Sequence, residues 1–151
     1  MSGELFKKFL KDLKVGQLYE KIAIESIIKY YKGKYQLVET NDDSRYDFKL
    51  SNDKTYEVKA LLKVYKYRNV FVEYMAFKKA SGIAVSKANF YVFVLINECV
   101  VKRILIISTA KLKRLITEKQ YEKNYVADLK AGYVFNLKFV IDQSLTIYES
   151  P

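Results

Sequence analysis

Between Arg45 and Ala60 the chain places charged side chains inside strand patterns, and few folds accommodate that. The stretch reads Arg-Tyr-Asp-Phe-Lys-Leu-Ser-Asn-Asp-Lys-Thr-Tyr-Glu-Val-Lys-Ala. Residues 46–50 and 55–61 read as strands, and Ser51-Asn52-Asp53 between them is a tight-turn signal, so the pair forms a hairpin. Strand residues two apart point to one face. Glu57 and Lys59 therefore share a face, and Val58 points the other way. Asp47 interrupts an aromatic strand. Burying an unpaired carboxylate is expensive; a bound metal ion would compensate it, whereas the bland alternative is an Asp exposed at the strand end. Taken alone, Glu57 and Lys59 fit an ordinary ion pair on a half-exposed strand. The combination says more, because two carboxylates and an ammonium converging at strand ends can hold a divalent cation beside a phosphate.

The rest of the composition narrows the chemistry. The chain has 151 residues, half of them apolar, enough for one domain with a real core. Its one proline is the last residue. It has no histidine, which excludes imidazole bases, Ser-His-Asp triads and His-ligated zinc. Any metal is then held by oxygen, which favours Mg²⁺, Mn²⁺ or Ca²⁺. Cys99 is the single cysteine, so an intramolecular disulfide is impossible and a reducing intracellular setting is expected. No apolar run has the length of a signal peptide or a membrane span, so a soluble protein without a membrane partner is expected. The formal net charge of +10 favours polyanions.

Hydrophobic periodicity predicts an α/β (α+β) single domain with a central mixed sheet flanked by helices. Residues 16–32 read as an amphipathic helix. Leu18, Ile22 and Ile28 share its core face beside Ala23 and Ile24, Lys21, Glu25 and Lys29 form an outer charge ladder, and Gly33 caps the end. Residues 1–10, with Phe6, Phe9 and Leu10, suggest another short helix. Strands are expected at 35–40, 46–50, 55–61 and 70–75, with a turn over 41–44. A short helix is expected at 81–88 and an apolar hairpin at 90–96 and 100–107, turning at Asn97-Glu98. A helix capped by Ser108-Thr109 and running to about residue 120 follows, then strands at 133–141 and 145–148. The core spans about 16–96, and about 100–148 forms a strand-helix-strand extension.

This order, an acidic amphipathic helix followed by Asp47 and then Glu57-Val58-Lys59, resembles the Asp…Glu-x-Lys core of the PD-(D/E)xK nuclease superfamily. Residues 71–74 (Phe-Val-Glu-Tyr) and 81–93, with Ser81-Gly82-Ile83, look like the continuation seen in its small viral and phage members. Tyr46 stands where the family name has proline. The resemblance implies a restriction-endonuclease-like αβββαβ core and a Mg²⁺-dependent DNA nuclease, with an endonuclease as the leading reading and Mn²⁺ as substitute. The superfamily includes restriction enzymes, junction resolvases, exonucleases and repair nucleases, so membership leaves structure-selective cutting as one option among these. It implies that Asp47 and Glu57 bind the metal with the Val58 carbonyl, that Glu20 on the first helix helps position it, and that Lys59 orients the attacking water. Glu73 is a further acid for which a surface role is the simpler reading. The alternative function is a non-catalytic nucleic-acid-binding or assembly module that keeps the fold.

For nucleic-acid contacts, Lys63, Tyr65, Lys66, Tyr67 and Arg68 interleave cations with aromatics directly after the Glu-x-Lys strand. A solvated loop is the equal alternative. Ser81 and Lys87 flank a helix N-terminus suited to a phosphate. Lys78-Lys79 and the cations from Lys111 to Arg114 are other basic sites, the latter fitting an exposed helix face. A chain this small would cut both strands as a symmetric homodimer. The wealth of lysine and tyrosine suits an AT-rich, virus-encoded gene acting in an infected cell.

Overall fold

The computed structural model describes residues 3–41 and 45–151, with side chains omitted at several positions in the first helix. Among the described residues, two sheets and four α-helices build an α+β fold around a mixed central sheet, as the periodicity predicts.

The first helix, α1 (Gly3–Tyr30), runs unbroken through Gly16, so the separate helix expected at residues 1–10 is its first part. The Phe6, Phe9 and Leu10 side chains lie outside the described ones. Its buried stripe is Tyr19, Ala23, Ile24 and Ile27, the i, i+4 spacing of one helical face. Leu18, expected inside, is 53% exposed because the stripe runs through Tyr19. Lys21, Glu25 and Lys29 are exposed, as the charge ladder requires. Lys32 and Gly33 take positive φ, and the Gly33 N–H returns to the Ile28 carbonyl at 2.9 Å to end the helix.

Strands β1 (Leu37–Thr40), β2 (Phe48–Leu50) and β3 (Thr55–Leu61) form an antiparallel meander. The turn expected over 41–44 lies, Asn41 apart, outside the described residues. Asp53 closes the β2–β3 turn with φ 67° and a 3.0 Å bond to the Leu50 carbonyl. A short helical turn, α2 (Val64–Tyr67), leads to β4 (Asn69–Ala76) and β5 (Lys79–Ala80). The chain then enters the long hairpin β6 (Phe90–Asn97) and β7 (Val100–Ser108), whose turn is Glu98-Cys99, one residue later than expected. Helix α3 (Thr109–Thr117) follows, its first turn capped by the Ser108 hydroxyl, which accepts the Lys111 N–H at 3.0 Å. The order closes with β8 (Lys123–Ala127), β9 (Lys130–Asn136), α4 (Leu137–Gln143) and β10 (Leu145–Glu149).

Two further expectations are corrected. The helix expected at 81–88 is a single 3₁₀ turn, Gly82–Ala84. Gly82 sits at φ 51° against the Glu73 backbone, and Ser86 bends the chain back by accepting the Ala88 N–H. The strand expected at 133–141 stops at Asn136, whose side chain caps α4 by accepting the Phe139 N–H at 3.1 Å. The apolar run after Asn136 had masked that cap.

The central sheet has the order β1-β2-β3-β6-β7-β10, with β3 and β6 parallel and the other pairs antiparallel. Strand β6 is buried on both faces. Val92, Val94 and Ile96 meet α1, while Tyr91, Phe93 and Leu95 meet a second core. That core is closed by a four-stranded sheet, β5-β4-β9-β8, together with α3 and α4. The β3-to-β6 crossover thus covers its face of the central sheet mainly with β4, where the expected αβββαβ core has a helix.

Two glycines test this packing. A Cβ on Gly82 would lie 2.2 Å from the Glu73 carbonyl oxygen, and its φ is left-handed. Gly82→Ala is expected to cost about 2 kcal/mol or more. Gly16, mid-helix with open space around its Cα, should behave oppositely, Gly16→Ala adding roughly 0.5–1 kcal/mol. Urea unfolding of both variants checks the pair.

Candidate active site

The site begins where β2 ends. Ladder pairing with β3 stops at Phe48 and Tyr56. One residue earlier, the Asp47 N–H still reaches the Tyr56 carbonyl at 2.8 Å, and its carbonyl accepts the Asn41 N–H at 2.8 Å. The next rung is made by a side chain: Asp47 Oδ2 accepts the Val58 N–H at 2.6 Å. The N–H and C=O of a strand residue leave on the same edge. The Val58 carbonyl therefore also faces the Asp47 side, beyond the end of β2. Aromatic packing fixes this corner, Phe48 stacking on Tyr56 and Tyr56 on Phe90 with centroids 4.9 and 5.4 Å apart.

On β3, Lys59 Nζ lies 3.3 Å from Glu57 Oε1, their side chains 40% and 13% exposed. They share the face predicted from strand alternation. Val58 packs on the opposite side with α1. Burial pushes the Asp47 carboxyl above the ordinary carboxylate range, opposed by the Val58 N–H and by Lys59. Burial also raises Glu57, and the Asp47 charge raises it further, opposed by Lys59. The two acids thus feel one another across the β3 edge. Two carboxylates and a backbone carbonyl are hard oxygen donors, suited to Mg²⁺ or Mn²⁺. Among the described residues no group of three or more acidic, cysteine or histidine side chains gathers closely enough to hold a metal.

Beside Glu57 and Lys59 in the sheet stand Tyr91 and Phe93 of β6. A cleft of about 210 Å³ opens on this face, lined by Lys59, Phe71, Glu73, Gly82, Tyr91 and Lys130 among others. Glu73 accepts a 3.0 Å hydrogen bond from the Ser81 hydroxyl, so the two segments singled out around them meet at this cleft. Among the described residues the buried Tyr91 hydroxyl makes no hydrogen bond of good geometry, although the Ser86 hydroxyl lies near it. Burial pushes its pKa far up; the nearby Ser86 hydroxyl opposes this, and the charges of Glu57, Asp47 and Glu73 add to it. Lys130 Nζ stands 4.7 Å from the Phe71 ring centroid. Sequence reasoning missed Tyr91 and Lys130. A tyrosine inside an apolar strand was the one available signal for the first, and nothing local marks the second.

The other anticipated residues fall in different places. Glu20 is half-buried on α1, which packs on the β3 face bearing Tyr56, Val58 and Ala60, away from Glu57 and Lys59. Lys63, Lys66, Tyr67 and Arg68 are exposed around α2, beyond the C-terminal end of β3. Lys66 Nζ sits 5.3 Å from the Tyr67 ring centroid, and Tyr67 is 57% exposed. Tyr65 differs: it is half-buried against the second core and near Arg103. A groove lined by Lys63, Tyr67, Phe71 and Lys130 joins α2 to the cleft through the last two. Lys87 is exposed at the opposite, N-terminal end of β3, its N–H bonded to the Arg45 carbonyl at 2.8 Å. Ser81 is committed to Glu73, and the 3₁₀ turn after it is too short to offer the helix N-terminus expected for a phosphate.

No family model matches the chain, and no curated protein matches it.

The paired acids make stability depend on pH. Both raised carboxyls bind protons more tightly in the folded chain than in the unfolded one. Their ionisation therefore penalises the fold at neutral pH. The penalty lifts as pH falls through the raised values toward the unfolded values near pH 4. Asp47→Asn keeps an oxygen for the Val58 N–H and removes the charge. It is expected to raise the Tm of the metal-free protein at pH 7, with the advantage shrinking toward zero near pH 4. Thermal melts of both proteins across that range check the sign.

Proposed function

We propose that the chain is a Mg²⁺-dependent DNA nuclease, acting as an endonuclease at the Asp47–Glu57–Lys59 corner, and that it belongs with the PD-(D/E)xK nucleases it resembles. The observation that carries the reading is the Asp47 carboxylate bonded to the Val58 N–H, electrostatically coupled to Glu57, with Lys59 3.3 Å from Glu57. Buried acids that repel one another weaken a fold, and a cation-binding role accounts for their presence.

Asp47, Glu57 and the Val58 carbonyl would hold the metal; the resemblance also implies Glu20, but α1 packs on the opposite face of β3 from Glu57 and Lys59. A bound Mg²⁺ neutralises charge on a scissile phosphate and lowers the pKa of a water molecule. Asp47 and Glu57 supply the negative charge, which Lys59 offsets only in part. Lys59 stands beside both acids, where its ammonium orients an attacking water and stabilises charge developing on phosphate oxygens. The exposed cations Lys63, Lys66 and Arg68 at one end of β3, and Lys87 at the other, flank this corner. A backbone crossing it meets positive charge on both sides, in keeping with the +10 net charge. A symmetric homodimer would place two such corners on a duplex.

Incubation with supercoiled plasmid, linear duplex and branched DNA, in Mg²⁺, Mn²⁺, Ca²⁺ or EDTA, tests the reading. Cleavage is expected in Mg²⁺ and Mn²⁺, binding with little cleavage in Ca²⁺, and no cleavage in EDTA. Asp47→Ala, Glu57→Ala and Lys59→Ala should each lower the rate by about 10²–10⁴-fold with the fold retained. Wild-type rates in these variants, or activity that survives chelation, contradict the mechanism. DNA binding with no cleavage under any metal favours the non-catalytic module instead.

The flanking cations have their own readout. The triple variant Lys63→Ala, Lys66→Ala, Arg68→Ala should flatten log affinity against log salt by about one unit for each phosphate that is no longer neutralised. An unchanged slope would leave α2 a solvated turn and move the DNA path elsewhere.

A further inference from the structure

The four-stranded sheet ends in two hairpin tips that lie side by side. Strands β4 and β5 are joined by a two-residue loop, Phe77-Lys78, between the paired residues Ala76 and Lys79. Both loop residues have positive φ, 51° and 65°. Asn-Gly is the pair such a turn prefers. Other tight turns here also use residues other than glycine, including Asp53, Glu98 and Cys99, but Phe77 is the aromatic one among them. A bulky residue in this region is strained, and no burial offsets the strain, since Phe77 is 73% exposed. Its N–H bonds to the Leu129 carbonyl at 2.8 Å. That bond seats Phe77 beside the β8–β9 turn, where Leu129 and Val126 are exposed as well. Lysines frame the ridge: Lys78 and Lys79 follow Phe77, and Lys130 pairs with Ala76. Asp128 is the acid of the neighbouring turn.

The base of the same hairpin is the candidate cleft. Glu73 and Ser81, hydrogen-bonded to one another, stand where the hairpin springs from the site. Four residues further along β4, the Phe77 tip lies about 13 Å away at roughly 3.3 Å per residue. That distance spans a few nucleotides of one strand, since the roughly 3.4 Å rise per nucleotide of a stacked duplex is a lower bound for an extended unpaired one.

We propose that the Phe77 tip is a stacking arm, whose ring packs on the face of an unpaired base a few nucleotides from a phosphate held at the cleft beside Lys59. Lys78, Lys79 and Lys130 meet the phosphates on either side. An aromatic platform within a cationic surface is the usual means of holding unpaired bases regardless of sequence. An apolar tip ringed by lysine also suits an anionic lipid surface. The continuity of the hairpin with the cleft favours nucleic acid. The inference rests on the nuclease reading and adds to it a preference for unpaired strands.

The chain has no tryptophan, so Phe77→Trp creates a single indole reporter in the full-length protein. It is titrated in Ca²⁺ with a single-stranded oligonucleotide, with an intact duplex of equal length, and with phosphatidylserine–phosphatidylcholine vesicles. Indole emission should fall at least about twofold with the single strand, as base stacking requires, and stay nearly constant with duplex and vesicles. Phe77→Asn, which suits the turn, should raise Tm by about 2–4 °C and weaken single-strand binding by about tenfold or more. Emission that responds to vesicles and not to DNA overturns the arm, as does wild-type affinity in Phe77→Asn. A wild type that binds DNA while the indole stays silent overturns the arm alone. A wild type that binds no nucleic acid overturns the nuclease reading and the arm with it.

Discussion

The 2.6 Å hydrogen bond from the Val58 N–H to Asp47 Oδ2 is the interaction on which the candidate site depends. Strand β2 is three residues long and runs out beside Tyr56. Without a further partner, the Val58 N–H would be left open at a half-buried strand edge, and unpaired backbone groups there are unfavourable. Asp47 fills the place with its side chain. A charged acceptor is a stronger partner than a neutral carbonyl, so the bond fixes the carboxylate and the strand edge together. The same bond draws Asp47 toward Glu57, whose ionisation its charge opposes, and Lys59 moderates the conflict from 3.3 Å. The local geometry is thus tight where the electrostatics are unfavourable, a combination that the proposed cation role accounts for.

The layering around this corner explains why one face of β3 is open for chemistry. Helix α1 seals the face bearing Tyr56, Val58 and Ala60. On the other face the second sheet closes over β6 and β7 but leaves a cleft where β4 passes Lys59. Two glycines permit the approach. Gly82 lies against the Glu73 backbone, and a Cβ on Gly132 would come 2.4 Å from the Phe71 ring. Phe71, Glu73 and Lys130 are thereby brought to the same cleft from two strands distant in sequence.

Local pattern made part of this legible. Strand β3 spans the residues predicted for it, and the shared face of Glu57 and Lys59 follows from strand alternation, a property of the backbone alone. Helix α3 was readable from its Ser108 cap, and the β6–β7 hairpin from two apolar runs around a short turn. The second sheet was not readable. Strand β8 is exposed along its length, so it carries no alternation, and β4 finds β9 across some sixty residues of chain, a pairing no local signal encodes. The same non-locality hid Lys130, which reaches the cleft only through that pairing. Leu18 was misplaced because a neighbouring tyrosine, amphipathic rather than plainly apolar, leads the buried stripe. Asn136 was passed over as a cap because the residues on both sides of it are apolar.

A cation site at Asp47 and Glu57 would bind metal in the absence of any nucleic acid. Mn²⁺ titration followed by the electron-spin resonance of the free ion compares the wild type with the double variant Asp47→Asn, Glu57→Gln at pH 7. The wild type should show a Mn²⁺ site, competed by Mg²⁺, with affinity reduced at least about tenfold in the variant, since two charged oxygen ligands are removed. Equal affinity in the two proteins, or no binding by the wild type, would contradict it.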